Sequence, residues 1–107
     1  MATRGSRGSG GAGAQLPEVV PFDLAHLTRL SWELGSRVID DDGVSCHGEW
    51  EHRDALWAVS VFDVTGETVV VQVRTPTGRE HFYGAARMDF EAARPALDAA
   101  PAWRSRG

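Results

Sequence analysis

The stretch VSCHGEWEHRDALWAVSVFDVTGETVVVQVRTPTGREHFY, residues 44–83, decides the fold. It breaks into four short runs rich in Val, Trp, Phe and Tyr, separated by Arg53-Asp54, Val64-Thr65-Gly66 and Thr75-Pro76-Thr77-Gly78. Short β-branched and aromatic runs bounded by Gly, Pro and Asp are the pattern of antiparallel strands joined by tight turns. The spacing predicts a meander in which every side chain has an assignable face.

Turn chemistry sets the expected register. A two-residue loop at Arg53-Asp54 places Trp50 opposite Trp57, Cys46 opposite Val61 and Gly48 opposite Val59. A three-residue loop ending at Gly66 places Val61 against Val69, Val59 against Val71 and Trp57 against Val73. Two- or four-residue loops at Thr75–Gly78 both keep Phe82 on the tryptophan side. The expected core face is Val44, Cys46, Trp50, Trp57, Val59, Val61, Val69, Val71, Val73 and Phe82. The opposite face reads His47–Ser60–Val70–Tyr83 and Glu49–Ala58–Gln72–His81, joined by Leu56, Phe62 and Arg74.

On either side of the meander the pattern turns helical. Leu24, Leu27, Leu30 and Leu34 recur at helical spacing behind Asp23, a suitable N-cap, and ahead of Gly35, a suitable stop. Arg37–Asp40 reads as a short edge strand, followed by a turn at Asp41-Asp42-Gly43. A second helical segment spans about Met88–Ala100, presenting Phe90, Ala93 and Leu97, with Asp89 as its cap. Pro95 removes a donor there and is expected to kink or split it. The fold class is α+β: a four- to five-stranded antiparallel meander packed on one face by an N-terminal helix and a C-terminal helical segment.

Composition bounds the rest. The chain has 107 residues and one cysteine, so no intramolecular disulfide forms. Residues 1–20 read as a disordered Gly/Ser/Arg-rich tail, 21–101 as one α+β domain and 102–107 as a flexible C-terminal tail. All eleven basic residues are Arg, which points to a GC-rich, bacterial coding sequence rather than to a role for Arg. Between Pro21 and Ala100 fourteen Asp/Glu face seven Arg, a net charge of −7. An acidic domain repels phosphate backbones, so nucleic acid is not the expected partner. No apolar run is long enough to span a membrane. With a lone cysteine and no secretory signal, a cytoplasmic setting is expected.

Residues capable of chemistry do not converge. Cys46 and His52 share a strand face but lie ~20 Å apart at strand rise. His47 and Glu49 are closer, yet His81 is expected ~14 Å away, too far to complete a metal site. Ser60 opposite His47 lacks a nucleophile elbow and an oxyanion donor. No catalytic residue, metal ligand or cofactor is assigned. The second sheet face is the expected working surface: an apolar patch edged by polar groups is a common partner surface. The sequence therefore reads as a small acidic protein-interaction module (a regulator, adaptor, chaperone or inhibitor) that binds another protein or itself as a homodimer. The contact residues would be His47, Ser60, Phe62, Val70, Gln72, Arg74, His81 and Tyr83. The alternative reading is a small-molecule site between sheet and helices.

Overall fold

A computed structural model of the chain describes residues 15–24 and 26–106. Within them the element order is β1 (Thr28–Leu30), α1 (Trp32–Ile39), β2 (Ser45–His52), β3 (Ala58–Asp63), β4 (Thr68–Arg74), β5 (Glu80–Ala86), α2 (Arg87–Ala99) and β6 (Trp103–Ser105). The strands form one sheet in the order β1-β5-β4-β3-β2-β6, antiparallel throughout. The α+β class and the meander β2–β5 are those the sequence predicts. The sheet is wider, with six strands among the described residues, because β1 and β6 flank the meander.

Register departs from expectation in an instructive way. Trp50 pairs with Val59, Val59 with Val73 and Val61 with Val71. Both inner pairings are displaced by two residues: the first loop holds four residues, 53–56, closed by His52 N to Trp57 O, and the second keeps three but closes one position later, around Thr65-Gly66-Glu67, with Val64 N donating to Thr68 O at 3.1 Å. A two-residue slip preserves faces, so Trp50, Val59, Val61, Val69, Val71 and Val73 remain together on one side, the valine face. Trp57 precedes β3 and is half-buried; its carbonyl accepts from His52 N at 3.0 Å.

The third turn differs by one residue, and there the faces exchange. Thr75 N donates to Arg79 O at 2.8 Å, closing Pro76-Thr77-Gly78, and Gly78 adopts φ +87°. This is the three-residue hairpin whose last position needs a left-handed residue. Phe82 consequently lies opposite Gln72, away from the valine face, while Tyr83 lies opposite Val71 on it. A bulge between Cys46 and Gly48 moves Cys46 opposite Phe62, where it is exposed rather than in the core. The extra residue of the bulge is His47.

The helices also differ from expectation. Ser31, not Asp23, is the cap: its Oγ accepts from Leu34 N at 3.1 Å. The leucines at helical spacing are therefore divided. Leu24 and Leu27 are buried in an irregular segment, and Leu30 ends β1. Arg37–Asp40 is the end of α1 and its cap rather than a strand, and Gly35 sits inside the helix. The turn at Asp41–Gly43 is present, with Asp41 Oδ1 accepting from Gly43 N at 2.8 Å. In α2 Ala86 is the cap residue, without a side-chain bond, and Asp89 lies in the first turn. Pro95 is exposed and the helix continues through it. Its missing donor is lost on the solvent side, where water can satisfy the freed carbonyl.

The two helices pack on opposite faces, not on one. α1 lies over Phe82, whereas α2 packs Phe90 against Trp50 and His47. Topology accounts for this. Both β1-α1-β2 and β5-α2-β6 cross the sheet in the same direction, but β1 and β5 run antiparallel. Two crossovers of the same right-handed sense must then pass on opposite sides.

The main core lies between the valine face and α2. Val59, Val61, Val69, Val71 and Val73 are fully buried there with Trp50, Tyr83, Ala85, Phe90, Leu97 and Trp103. Residues 15–24 close its open end. Leu16, Val20 and Phe22 belong to the same cluster, with Phe22 and Phe90 edge to face at 6.1 Å. Trp103 Nε1 donates to Val19 O at 3.2 Å. Packing thus reaches beyond residues 21–101 at both ends, while the Gly/Ser/Arg-rich segment 1–14 lies outside the described residues.

Candidate functional site

The residues expected to share one working face are divided between two. Glu49, Ser60, Gln72 and Phe82 form one row of the α1 face, and Cys46, Phe62 and Val70 another. Arg74 lies on this face beside Ala58 and Glu80. His47, His81 and Tyr83 belong to the valine face. Of the eight candidates, Ser60, Phe62, Val70, Gln72 and Arg74 stay together.

The relocated His47 is fully engaged. Its Nδ1 lies 2.9 Å from Asp63 Oδ2, and Arg94 Nη1 lies 3.2 Å from its Nε2. A guanidinium only donates, so Nε2 accepts and Nδ1–H donates to the carboxylate. Asp63 Oδ1 makes no hydrogen bond among the described residues, but Arg87 Nη1 approaches it at 3.7 Å. The Phe90 ring packs edge-on against the imidazole at 5.6 Å. Arg94 also lies over Trp50 at 5.4 Å, and Trp50 Nε1 donates to Asp98 Oδ1 at 2.9 Å. This network pins α2 to the sheet. Both imidazole nitrogens are occupied, and Ser60 pairs with Glu49, so the two do not meet.

His81 accepts from Arg29 Nη2 at Nδ1, 3.0 Å away, and Arg29 lies 5.9 Å from the Tyr83 ring. Burial pushes the Tyr83 phenol above its ordinary value, with Arg29 opposing. These three residues form the β1–β5 margin of the valine face. Desolvation, then the nearby Glu49 charge, pushes the Cys46 thiol up. A raised thiol has little thiolate at neutral pH and is a poor nucleophile. No three His, Cys, Asp or Glu side chains among the described residues are grouped to hold a metal ion.

The α1 face is covered unevenly. α1 packs on β5 and β4, where Val70 and Phe82 are buried. Glu80 fastens this end: it accepts from Gln72 Nε2 at 2.9 Å, Arg74 Nη2 at 3.2 Å and Trp32 Nε1 at 3.3 Å. Toward β3 and β2 the cover thins. Ser60 and Phe62 are half-buried, and Cys46 and Glu49 are exposed, while Val59 and Val61 between them on the other side are 0% exposed.

Two adjoining depressions extend this uncovered half. One, of about 110 Å³, is lined by Glu49, Ser60, Gln72, Arg74 and Arg106 among others. The other, of about 510 Å³, lies between the β2–β3 loop and β6, and Arg53, Arg74, Arg104 and Arg106 line it. Sequence reasoning missed Arg53, Arg104 and Arg106 as site residues, the last two because they fell in an expected tail. A signal existed: Trp103-Arg104-Ser105-Arg106 alternates with strand period. Compared with known proteins, the chain matches no family model, no curated protein and no solved structure. No helix among the described residues is long and apolar enough to cross a membrane.

Proposed function

We propose that this chain is a small protein-interaction module whose working surface is the uncovered half of the α1 face. The observation that supports it is the contrast along β3: Val59 and Val61 are sealed, whereas Ser60 and Phe62 remain half-buried with only part of their face under a helix. Phe62 is the aromatic anchor of this surface, with Ser60 and exposed Cys46 and Glu49 around it. Interface energy concentrates in a few aromatic and arginine side chains within such patches. Gln72 and Arg74 contribute polar contacts at its margin. Val70, expected from the sequence as a contact, is 3% exposed and supports the surface from beneath. The partner is another protein; a second copy of this chain is the competing outcome.

The test is affinity capture with the full chain, its Phe62→Glu variant and, as a control on the other side of the molecule, Met88→Glu. Met88 in α2 is 78% exposed. Sedimentation of the same three proteins reads self-association. Loss of one defined partner, or of dimer mass, with Phe62→Glu alone supports the surface. Equal behaviour of all three proteins overturns it.

A further inference from the structure

The cleft between the β2–β3 loop and β6 carries charge opposite to that of its surroundings. Between Pro21 and Ala100 the chain has a net charge of −7, yet this cleft is lined by four arginines and two carboxylates, Glu51 and Asp54. The carboxylates do not neutralise the arginines. Glu51 is shared: Arg104 Nη2 holds its Oε1 at 2.6 Å, and Arg106 Nε reaches its Oε2 only at 3.6 Å. Arg74 turns to Glu80, which already receives Gln72 and Trp32. The Arg53 guanidinium makes no ion pair among the described residues. Beside these charges the wall is apolar. Leu56 is 77% exposed and Trp57 is half-buried.

We infer that this cleft binds a short acidic peptide segment of the partner protein, with carboxylates on Arg53 and Arg106 and an apolar side chain against Leu56 and Trp57. The inference rests on the reading of the adjoining sheet face as a protein-binding surface and names the chemistry of its ligand. Size and screening favour a short segment over a nucleic acid. About 510 Å³ is the volume of an ordinary ligand site. At physiological salt, charges beyond about 8 Å are largely screened, so a short anion feels the local arginines. A long polyanion would also meet exposed Glu49, which lines the adjoining depression.

The experiment titrates the isotopically labelled full chain with a synthetic peptide of alternating Glu and Leu and follows arginine Nε–Hε resonances. A Gln/Leu analogue, single-stranded oligothymidylate and inorganic phosphate are run in parallel. Expected is saturable binding that shifts Arg53 and Arg106, weakens as salt is added, and falls about five- to thirty-fold in Arg53→Gln/Arg106→Gln. Neither substitution removes a short ion pair, and unchanged circular dichroism verifies the fold. Equal binding of the Gln/Leu analogue, shifts confined to Arg29, Arg37 or Arg79, or no saturable binding overturns the inference. Tighter binding of oligothymidylate, or full displacement by phosphate at the same concentration, overturns it as well, in favour of a phosphate site. Phe62→Glu separates the two readings. If it abolishes partner capture while the Glu/Leu peptide never binds, the surface stands and the cleft assignment falls.

Discussion

Gly35 of α1 rests directly on the ring of Phe82 in β5. A Cβ built at Gly35 would fall within 2.6 Å of Cβ, Cγ and Cδ1 of Phe82. Real side chains do not approach so closely, so the hydrogen at this position sets how near α1 sits to the sheet. The glycine is inside the helix, where it costs about 1 kcal/mol relative to Ala. That cost is accepted for the close approach, which seals Phe82 to 1% exposure.

Gly35→Ala is therefore destabilising despite the better helix propensity of Ala. Overpacking of a filled site costs about 1–3 kcal/mol, and Phe82 Cβ is too close to the backbone to swing aside. The midpoint of thermal unfolding is expected to fall by several degrees, at about 4–8 °C per kcal/mol for a domain of this size. Gly66→Ala is the control: nothing lies within 4 Å of its Cβ position, and its stability change should be within about 0.5 kcal/mol of zero. Equal midpoints for Gly35→Ala and wild type would mean that α1 does not pack on Phe82.

The two tryptophans of the meander should behave differently, although the sequence presents them as a pair. Trp50 is 1% exposed, meets Phe90 edge to face at 6.1 Å and donates to Asp98 at 2.9 Å. Trp50→Ala should cost about 3–5 kcal/mol, and Trp50→Phe, which keeps an aromatic ring but loses the indole N–H and leaves a smaller cavity, roughly 1–3 kcal/mol. Trp57 is half-buried at the margin of the core, so Trp57→Ala should cost roughly 1–2 kcal/mol. Urea unfolding of the three variants checks the order. A Trp57→Ala cost equal to that of Trp50→Ala would restore the symmetric pairing that the two-residue loop implies.

The faces of β2–β4 were legible because the sheet period is two: registers displaced by two residues leave Val59, Val61, Val69, Val71 and Val73 where they belong. The turn at Thr75–Arg79 was not legible at that tolerance. One residue more or less exchanges Phe82 with Tyr83, and only the left-handed backbone at Gly78 marks the odd loop. The bulge at His47 breaks the period inside a strand and decided the places of Cys46 and His47 together; its one local signal is Gly48, a glycine inside a strand pattern, which the regular alternation on either side outweighed. In residues 23–40 the leucine spacing competed with the Ser31 cap. The spacing suited a helix, but long-range burial of Leu24 and Leu27 beside residues 15–22 determined the outcome. Of the candidate site, the part that survived is the part fixed by β3 and β4. The arginine cleft arises from β6 docking beside β2, a contact between residues about fifty positions apart that local pattern does not encode.

The last prediction concerns alkaline stability. Tyr83 is 3% exposed on the valine face, and burial raises its phenol above the ordinary value near 10, against the pull of Arg29. The phenol is neutral when protonated, so the fold disfavours its ionised form. The unfolded chain therefore releases this proton first as pH rises. Above about pH 10 the unfolded state binds fewer protons than the native state, and the unfolding free energy falls with pH. The stability linked to this group is fully present below the unfolded value and is lost as pH climbs through the folded one. Tyr83→Phe keeps the buried ring and removes the ionisation. Urea unfolding of both proteins between about pH 8 and pH 11 should show a steeper loss in wild type. The Cys46 thiol is also pushed up by burial, but it is common to both proteins and cancels in the comparison. Parallel curves through pH 11 would place Tyr83 in contact with water and so off the valine face, and with it would fall the three-residue turn that positions β5.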